Sequence, residues 1–546
     1  MLIFNGVIVT ATLQAASGVH PRPPAQKLTS SAEDGLSMPA LRGEAQTADD
    51  WPQLQYDPKR TGHNPQPVTG PFNQKWLRDL ATPMADRIQP VIAGGRVIVG
   101  DLNGKVYALN TSDGSTAWTF NTGGAILYTA AISQNNVFVG SHDGYLYALN
   151  LNTGSQVWQA AVGKGVGGAP LVWENRVYAS GKDGFFYAFN AANGAQLWKF
   201  DTAATTPASI RAPILSSPAV HPAKNLVFFA AENLKAYALN AASGSLVWSA
   251  QMYGESAYDS WPVISEAQNT VVFRTKNIYA FQSSLIHDEN DLFCPGNSGG
   301  ECNSCPNLNP ANFNSPGEVV SSSGNTSTQW NEQHFTDSDN QIESIDEIFQ
   351  KYPQRLTFYA FNPDTGAARW SRPAPVLWTG GGGRLGIMPV VNQSSGEFYT
   401  FWRTKFSRRD ESFFCRRWVD LGRLTERNSL PTVDFLACPG GGSNCPNSQD
   451  FHFIGDETTV LSMAGNLLLM TGWFNTGGIY VDSGNSEFVV GSGRGGLPQG
   501  GAGSGGDSAA PVSIANKVLF IKHHEGFPAQ EAEPAPYTIV AAYQGN

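Results

Sequence analysis

The sequence predicts an all-β fold, a β-propeller of four-stranded antiparallel blades, on three observations. A twelve-residue phrase recurs five times, as YALNTSDGSTAW, YALNLNTGSQVW, YAFNAANGAQLW, YALNAASGSLVW and YAFNPDTGAARW. Asn-Gly or Asp-Gly pairs between alternating apolar runs stand ahead of the first three copies. The composition, with 58 glycines and only 15% charged residues among 546, suits turn-rich sheet better than helix.

Each copy keeps one Tyr-to-Trp spacing: Tyr107/Trp118, Tyr147/Trp158, Tyr187/Trp198, Tyr237/Trp248 and Tyr359/Trp370. A glycine stands four residues before each Trp, at Gly114, Gly154, Gly194, Gly244 and Gly366, where a hairpin turn needs a residue that tolerates positive φ. The phrase is therefore a strand, a tight turn and a second strand beginning at Trp. Upstream, RVIVGDLNGKVYAL, NVFVGSHDGYLYAL and RVYASGKDGFFYAF each add a hairpin, and QPVIAG, TAAISQ, GAPLVW and SPAVHP add a short first strand. Four strands in about forty residues is the period of a propeller blade. One such sheet cannot bury both faces, so the units stack around an axis. Trp76, Trp118, Trp158, Trp198, Trp248 and Trp370 are expected to fill the wedges between them.

Four uninterrupted units end at Trp118, Trp158, Trp198 and Trp248. A fifth starts at SWPVIS and resumes, after an insertion, at RLTFYAFNPDTGAARW. A sixth begins at IMPVVNQSSGEFYTFWRTKF and a seventh at TTVLSMAGNLLLMTGWFNTGGIYVDSGN. APVSIANKVLFIKHH and YTIVAAYQ form an eighth that lacks its Trp strand. FNQKWLRDL, carrying Trp76, is expected to supply that strand, closing the ring with an N-terminal segment and removing an exposed edge. The expected count is eight blades; seven is the alternative, since the sixth unit is weakly marked.

The pattern Ala-x-Asn/Asp-x-x-x-Gly-x-x-x-Trp resembles the tryptophan-docking repeat of PQQ-like β-propellers, a family of quinoprotein alcohol dehydrogenases and of a non-catalytic outer-membrane assembly propeller. WPQLQYDPKRTG resembles the segment that precedes this type of ring. The resemblance implies two readings. One is a PQQ- and calcium-dependent alcohol dehydrogenase, in which the quinone carries the redox step beside an Asp base and an adjacent cysteine pair. The other is a binding ring with no cofactor. No two of the six cysteines are adjacent, and no Asn/Glu/Asp metal set is recognisable, which favours the second.

The domain reading places a signal-like apolar stretch at 1–17, without a charged n-region, a Pro- and Ser-rich leader at 18–50, and the propeller at 51–546. Two cysteine-containing insertions are expected at 283–354 and 404–451. Cysteine usage with a signal-like start points to an extracytoplasmic, periplasmic or secreted protein with disulfides. Cys438 with Cys445 is the easiest local bridge; Cys294 with Cys302 or Cys305 is next, leaving a partner for Cys415. Cys302-x-x-Cys305 also has zinc-ligand spacing, but the other cysteines do not continue it, so no metal is expected. Ile342, Ile345 and Phe349 suggest a short helix capped by Asp339, and DSDNQIE lacks the glycine and final glutamate of a calcium loop.

Loops entering the innermost strands would form a funnel, and Arg87, Tyr128, Arg211, Asp259, Trp261, Arg384 and Asp507 are the candidate ligand-binding residues there. The competing reading is that they pair with one another and plug the channel. His523 and His524 fall on a predicted strand, where neighbours face opposite ways, and GSGRGGLPQGGAGSGG lacks the Gly-Lys-Ser/Thr ending of a phosphate loop. With net charge −10 and no basic run, nucleic acid is disfavoured, and no segment is long and apolar enough for a membrane span. The expected function is an exported, non-catalytic propeller that binds a protein, glycan or small ligand through loops and insertions. The alternative is the quinoprotein alcohol dehydrogenase.

Overall fold

A computed structural model describes residues 50–85, 88–205, 211–254, 256–258, 260–275, 358–370, 388–402, 461–471, 475–482, 486–491, 512–524 and 538–546, with short strands at 319–320, 326–327, 334–336, 342–344, 420–427 and 430–435. The chain divides into Met1–Leu41, which lies outside the described residues, and Arg42–Asn546, to which every element below belongs.

The fold is an all-β propeller of four-stranded antiparallel blades. The first sheet runs Val91–Ala93, Arg96–Gly100, Lys105–Asn110 and Thr116–Asn121, innermost strand first. The second (Ala131–Ala161), third (Leu171–Asp201) and fourth (Ala219–Gln251) repeat it. The sixth comprises Val390–Val391, Phe398–Trp402, Asp420–Arg427 and Leu430–Phe435, so the segment expected as a second insertion includes that sheet's outer pair of strands. The seventh spans Ser462–Gly491 and gains a fifth, parallel strand, His63–Asn64, at its inner edge. The closing sheet joins Ser513–Ala515, Val518–His524 and Thr538–Gln544 to Asn73–Asp79, with Trp76 opposite Ala542.

The expectation of eight four-stranded blades is corrected. Among the described residues seven sheets carry four antiparallel strands, whereas the fifth has only three: Val263–Ser265, Thr270–Arg274 and Phe358–Phe361. Up to Trp370, where the described stretch ends, this unit adds an isolated bridge between Phe361 and Ala368. The helix expected from Ile342 is also corrected: Ile342–Ser344 is a strand, antiparallel to His334–Thr336. Its β-branched isoleucine suits that pairing, and the intervening Asp- and Asn-rich residues are turn formers.

The docking phrase has a direct packing explanation. The indoles of Trp76, Trp118, Trp158, Trp198 and Trp248 lie over Gly114, Gly154, Gly194, Gly244 and Gly366 of the following sheet, so closely that an added Cβ would sit 2.5–2.8 Å from ring carbons. Trp76, Trp118, Trp158 and Trp248 also donate their Nε1–H to the backbone carbonyls of Thr111, Leu151, Ala191 and Pro363 at 2.8–2.9 Å. Trp198 does not, because the Tyr178 hydroxyl takes the equivalent carbonyl, Ala241 O, at 3.0 Å. Trp370 is buried among Trp261, Val391 and Phe398. A register shift just before each Trp leaves Val157, Leu197 and Val247 exposed on the outer strands, and such bulges make an open edge a poor template for pairing.

Candidate functional site

The innermost strands present an unpaired edge to the channel, and the residues WPQLQYDPKRTGHN cover it. This strap visits the sheets in order. Trp51 exchanges both backbone hydrogen bonds with Ile92 of the first sheet at 2.8 Å. The amide of Ile132 donates to Pro52 O at 2.7 Å, and that of Val172 to Gln53 Oε1 at 3.3 Å. Val220 then donates to Pro58 O, Ile264 to Lys59 O, Val391 to Thr61 O and Met463 to Gly62 O, at 2.7–3.1 Å. Asn64 completes the circuit, donating from Nδ2 to Ile514 O of the closing sheet at 2.9 Å. In every sheet the donor or acceptor is the middle part of the short inner strand. Buried amides need partners, and the strap supplies them.

Arg60 is fully buried in the centre of this arrangement. Its guanidinium donates to the carbonyls of Pro218, Leu54 and Pro170, at 2.9, 2.7 and 3.3 Å. Burial pushes the group down from its ordinary value to about 9, against the pull of Asp57. Asp57 accepts the Thr61 amide at 3.0 Å; burial raises its carboxyl, while Lys59, Thr61 and Arg60 act in the opposite direction. Toward the end of the channel formed by the turns after the inner strands, Lys59 pairs with Glu266 at 2.9 Å, and His221 Nδ1 lies 3.5 Å from the same carboxylate. Every charge here is held by groups of the chain itself.

The candidate residues expected at the funnel separate into three groups. Tyr128 and Trp261 are buried in an apolar cluster with Leu54 of the strap, Met388 and Phe398. Arg211 is drawn to the rim, where it makes two hydrogen bonds to Asp201, at 2.8 and 2.6 Å, and stacks on Phe185. Arg87, Asp259, Arg384 and Asp507 lie outside the described residues, as do Cys294, Cys302, Cys305, Cys415, Cys438 and Cys445. Sequence reasoning missed the strap as the occupant of the channel. One trace of it was legible: Pro52 and Pro58 have no N–H, and both serve only as acceptors.

The face that carries the second turn of each sheet and the connections between sheets is different in character. Antiparallel order puts these at one end, and there Leu102, Tyr145, Tyr253 and Tyr258 are 37–49% exposed. Lys182 of the third sheet meets His142 of the second on the same face, and the histidine is lowered by burial and by that lysine.

The strap takes the inner wall, and no cluster of three His, Cys, Asp or Glu side chains among the described residues could hold a metal ion.

A family model described as outer membrane protein assembly factor BamB matches residues 73–129 and 103–287. No curated protein sequence matches the chain. Among solved structures, BamB from Moraxella catarrhalis is similar at 12% identity and a TM-score of 0.44, over 87% of this chain and 98% of its own. The quinohemoprotein alcohol dehydrogenase ADHIIG from Pseudomonas putida HK5 is similar at 14% identity and a TM-score of 0.51, over 91% and 80%. A europium-containing methanol dehydrogenase is similar at 10% identity and a TM-score of 0.53, over 91% and 98%. At such identities the two dehydrogenases share the fold alone with this chain. The docking repeat and the family model agree: over residues 73–287 the chain is similar to the PQQ-like β-propeller family.

Proposed function

We propose that this protein is an exported, non-catalytic propeller that binds a protein partner on the face bearing Leu102, Tyr145, Tyr253 and Tyr258, as a scaffold of the outer-membrane assembly kind. The observation that carries the reading is the strap: the chain covers the inner edges of its own sheets, which favours recognition on the faces. Exposed tyrosines on rigid elements are the residue type that anchors protein interfaces. The description of the matching family model and the signal-like start of the sequence both favour a place outside the cytoplasm. Among the described residues no helix is long and apolar enough to cross a membrane.

The test is site-specific photo-crosslinking in the producing cell, from positions 253 and 258 on the proposed face and from 157 and 197 on the rim. A discrete protein adduct confined to the first pair supports the proposal. Adducts confined to the rim, or to neither pair, refute it. The catalytic alternative is separated by titrating purified protein with pyrroloquinoline quinone and calcium: saturable binding with dye-linked alcohol oxidation would make it a quinoprotein alcohol dehydrogenase.

A further inference from the structure

One buried imidazole stands among the last residues of the strap. His63 is 2% exposed and bridges two sheets. Its Nε2 lies 3.0 Å from Gly465 O of the seventh sheet, and its Nδ1 lies 2.8 Å from the backbone nitrogen of Gln393 in the sixth. A carbonyl can only accept and an amide N–H can only donate, so the ring is neutral, with its proton on Nε2. Gln393 grips the same stretch again, donating from its side-chain amide to His63 O at 2.7 Å and to Thr61 Oγ1 at 3.2 Å. Around it the amides of Val391, Met463 and Gly465 bind the carbonyls of Thr61, Gly62 and Asn64. The groups that touch the ring from the sixth and seventh sheets are thus backbone amides and carbonyls, and no carboxylate or cation acts on it.

We propose that His63 is an acid-sensitive catch: a proton on Nδ1 expels the Gln393 N–H and releases Thr61–Asn64 from the sixth, seventh and closing sheets, uncovering their inner edges. The imidazolium would carry two donors into a place built for one donor and one acceptor. Its charge would also stand in a buried site with no counter-ion, which is costly. Burial holds the ring down to about 4, with only the Gly465 hydrogen bond acting the other way. A released strap would return it to about 6.5. The sign follows: the docked strap is favoured above pH 6.5, and that preference is lost as the pH falls toward 4. Between pH 7.5 and pH 5 the docking equilibrium should weaken roughly 30-fold through this one group.

Hydrogen exchange of the full chain tests it. Amide protection at Val391, Gln393, Met463 and Gly465 is compared at pH 7.5 and pH 5, corrected for intrinsic exchange, in wild type and in His63→Gln, whose side chain donates and accepts but does not titrate. The expected result is a fall of about 30-fold in wild type relative to the variant, with Ile92 and Ile132 at the other end of the strap unchanged. The same pH dependence in both proteins overturns the proposal. Should the variant lose protection at Ile92 and Ile132 at pH 7.5, the ring has failed to form. The wild-type imidazole is then titrated by nitrogen-15 NMR, where a midpoint near 6.5 overturns the catch and a strongly depressed one supports it.

Discussion

Substituting Gly154 by Ala should damage the ring far more than the same change at Gly95. Both glycines have positive φ, +71° and +75°, so both variants carry the left-handed penalty of about 1–2 kcal/mol. Their surroundings differ. A Cβ on Gly95 meets nothing nearer than Thr111 Oγ1 at 4.0 Å, whereas one on Gly154 falls 2.6 Å from two ring carbons of Trp118. Comfortable carbon contacts are about 3.5–4.0 Å, so the indole must move, at an overpacking cost of about 1–3 kcal/mol. Moving it also strains the 2.8 Å bond from Trp118 Nε1 to Leu151 O, worth about 1 kcal/mol. Gly154→Ala should therefore lose about 3–5 kcal/mol against about 1–2 for Gly95→Ala. Guanidinium unfolding followed by tryptophan fluorescence and by circular dichroism measures both. Equal losses would show that the glycine serves only the turn, and the account of docking given above would fail.

Arg60→Met should cost about 3–5 kcal/mol in the same assay, because it strips three buried carbonyls of their donor and leaves Asp57 without its neighbour. Tyr178→Phe should cost less than about 1 kcal/mol, since Ala241 O becomes free for Trp198 Nε1, and the indole N–H resonance of Trp198 should move to the hydrogen-bonded range. His221 is lowered by burial first, with Glu266 opposing and Lys224 and Lys59 assisting. Its neutral form is favoured by folding, so this contribution is present above about pH 6.5 and lost as the pH falls below it. His221→Gln should flatten the stability–pH curve in that window, as read by chemical denaturation at several pH values.

The ring was legible because its information is local and repeated. Tyr, Gly and Trp at fixed spacing specify a strand, a turn and a docking contact within twelve residues, and the closing strand betrayed itself by carrying Trp76 without a unit of its own. The strap was not legible as a plug. Asp57, Arg60 and His63 belong to a segment read only as preceding the ring, and their burial follows from hydrogen bonds to sheets far away in sequence. Among the described residues the fifth sheet shows three strands, where the docking phrase alone led to an expectation of four. Isoleucines at helical spacing near 342 misled because the stretch is short, and pairing with His334–Thr336 decided its conformation.

The closing sheet makes two strands far apart in the sequence depend on each other during synthesis. Strand Asn73–Asp79 leaves the ribosome long before its partner Thr538–Gln544. At roughly 5–20 residues per second, the early strand waits on the order of half a minute or more with Trp76 in search of a place. A chain cut short before residue 538 never receives the seam. An unfinished product thus keeps a sticky edge that chaperones and proteases can recognise, and closure itself certifies that translation has passed residue 544.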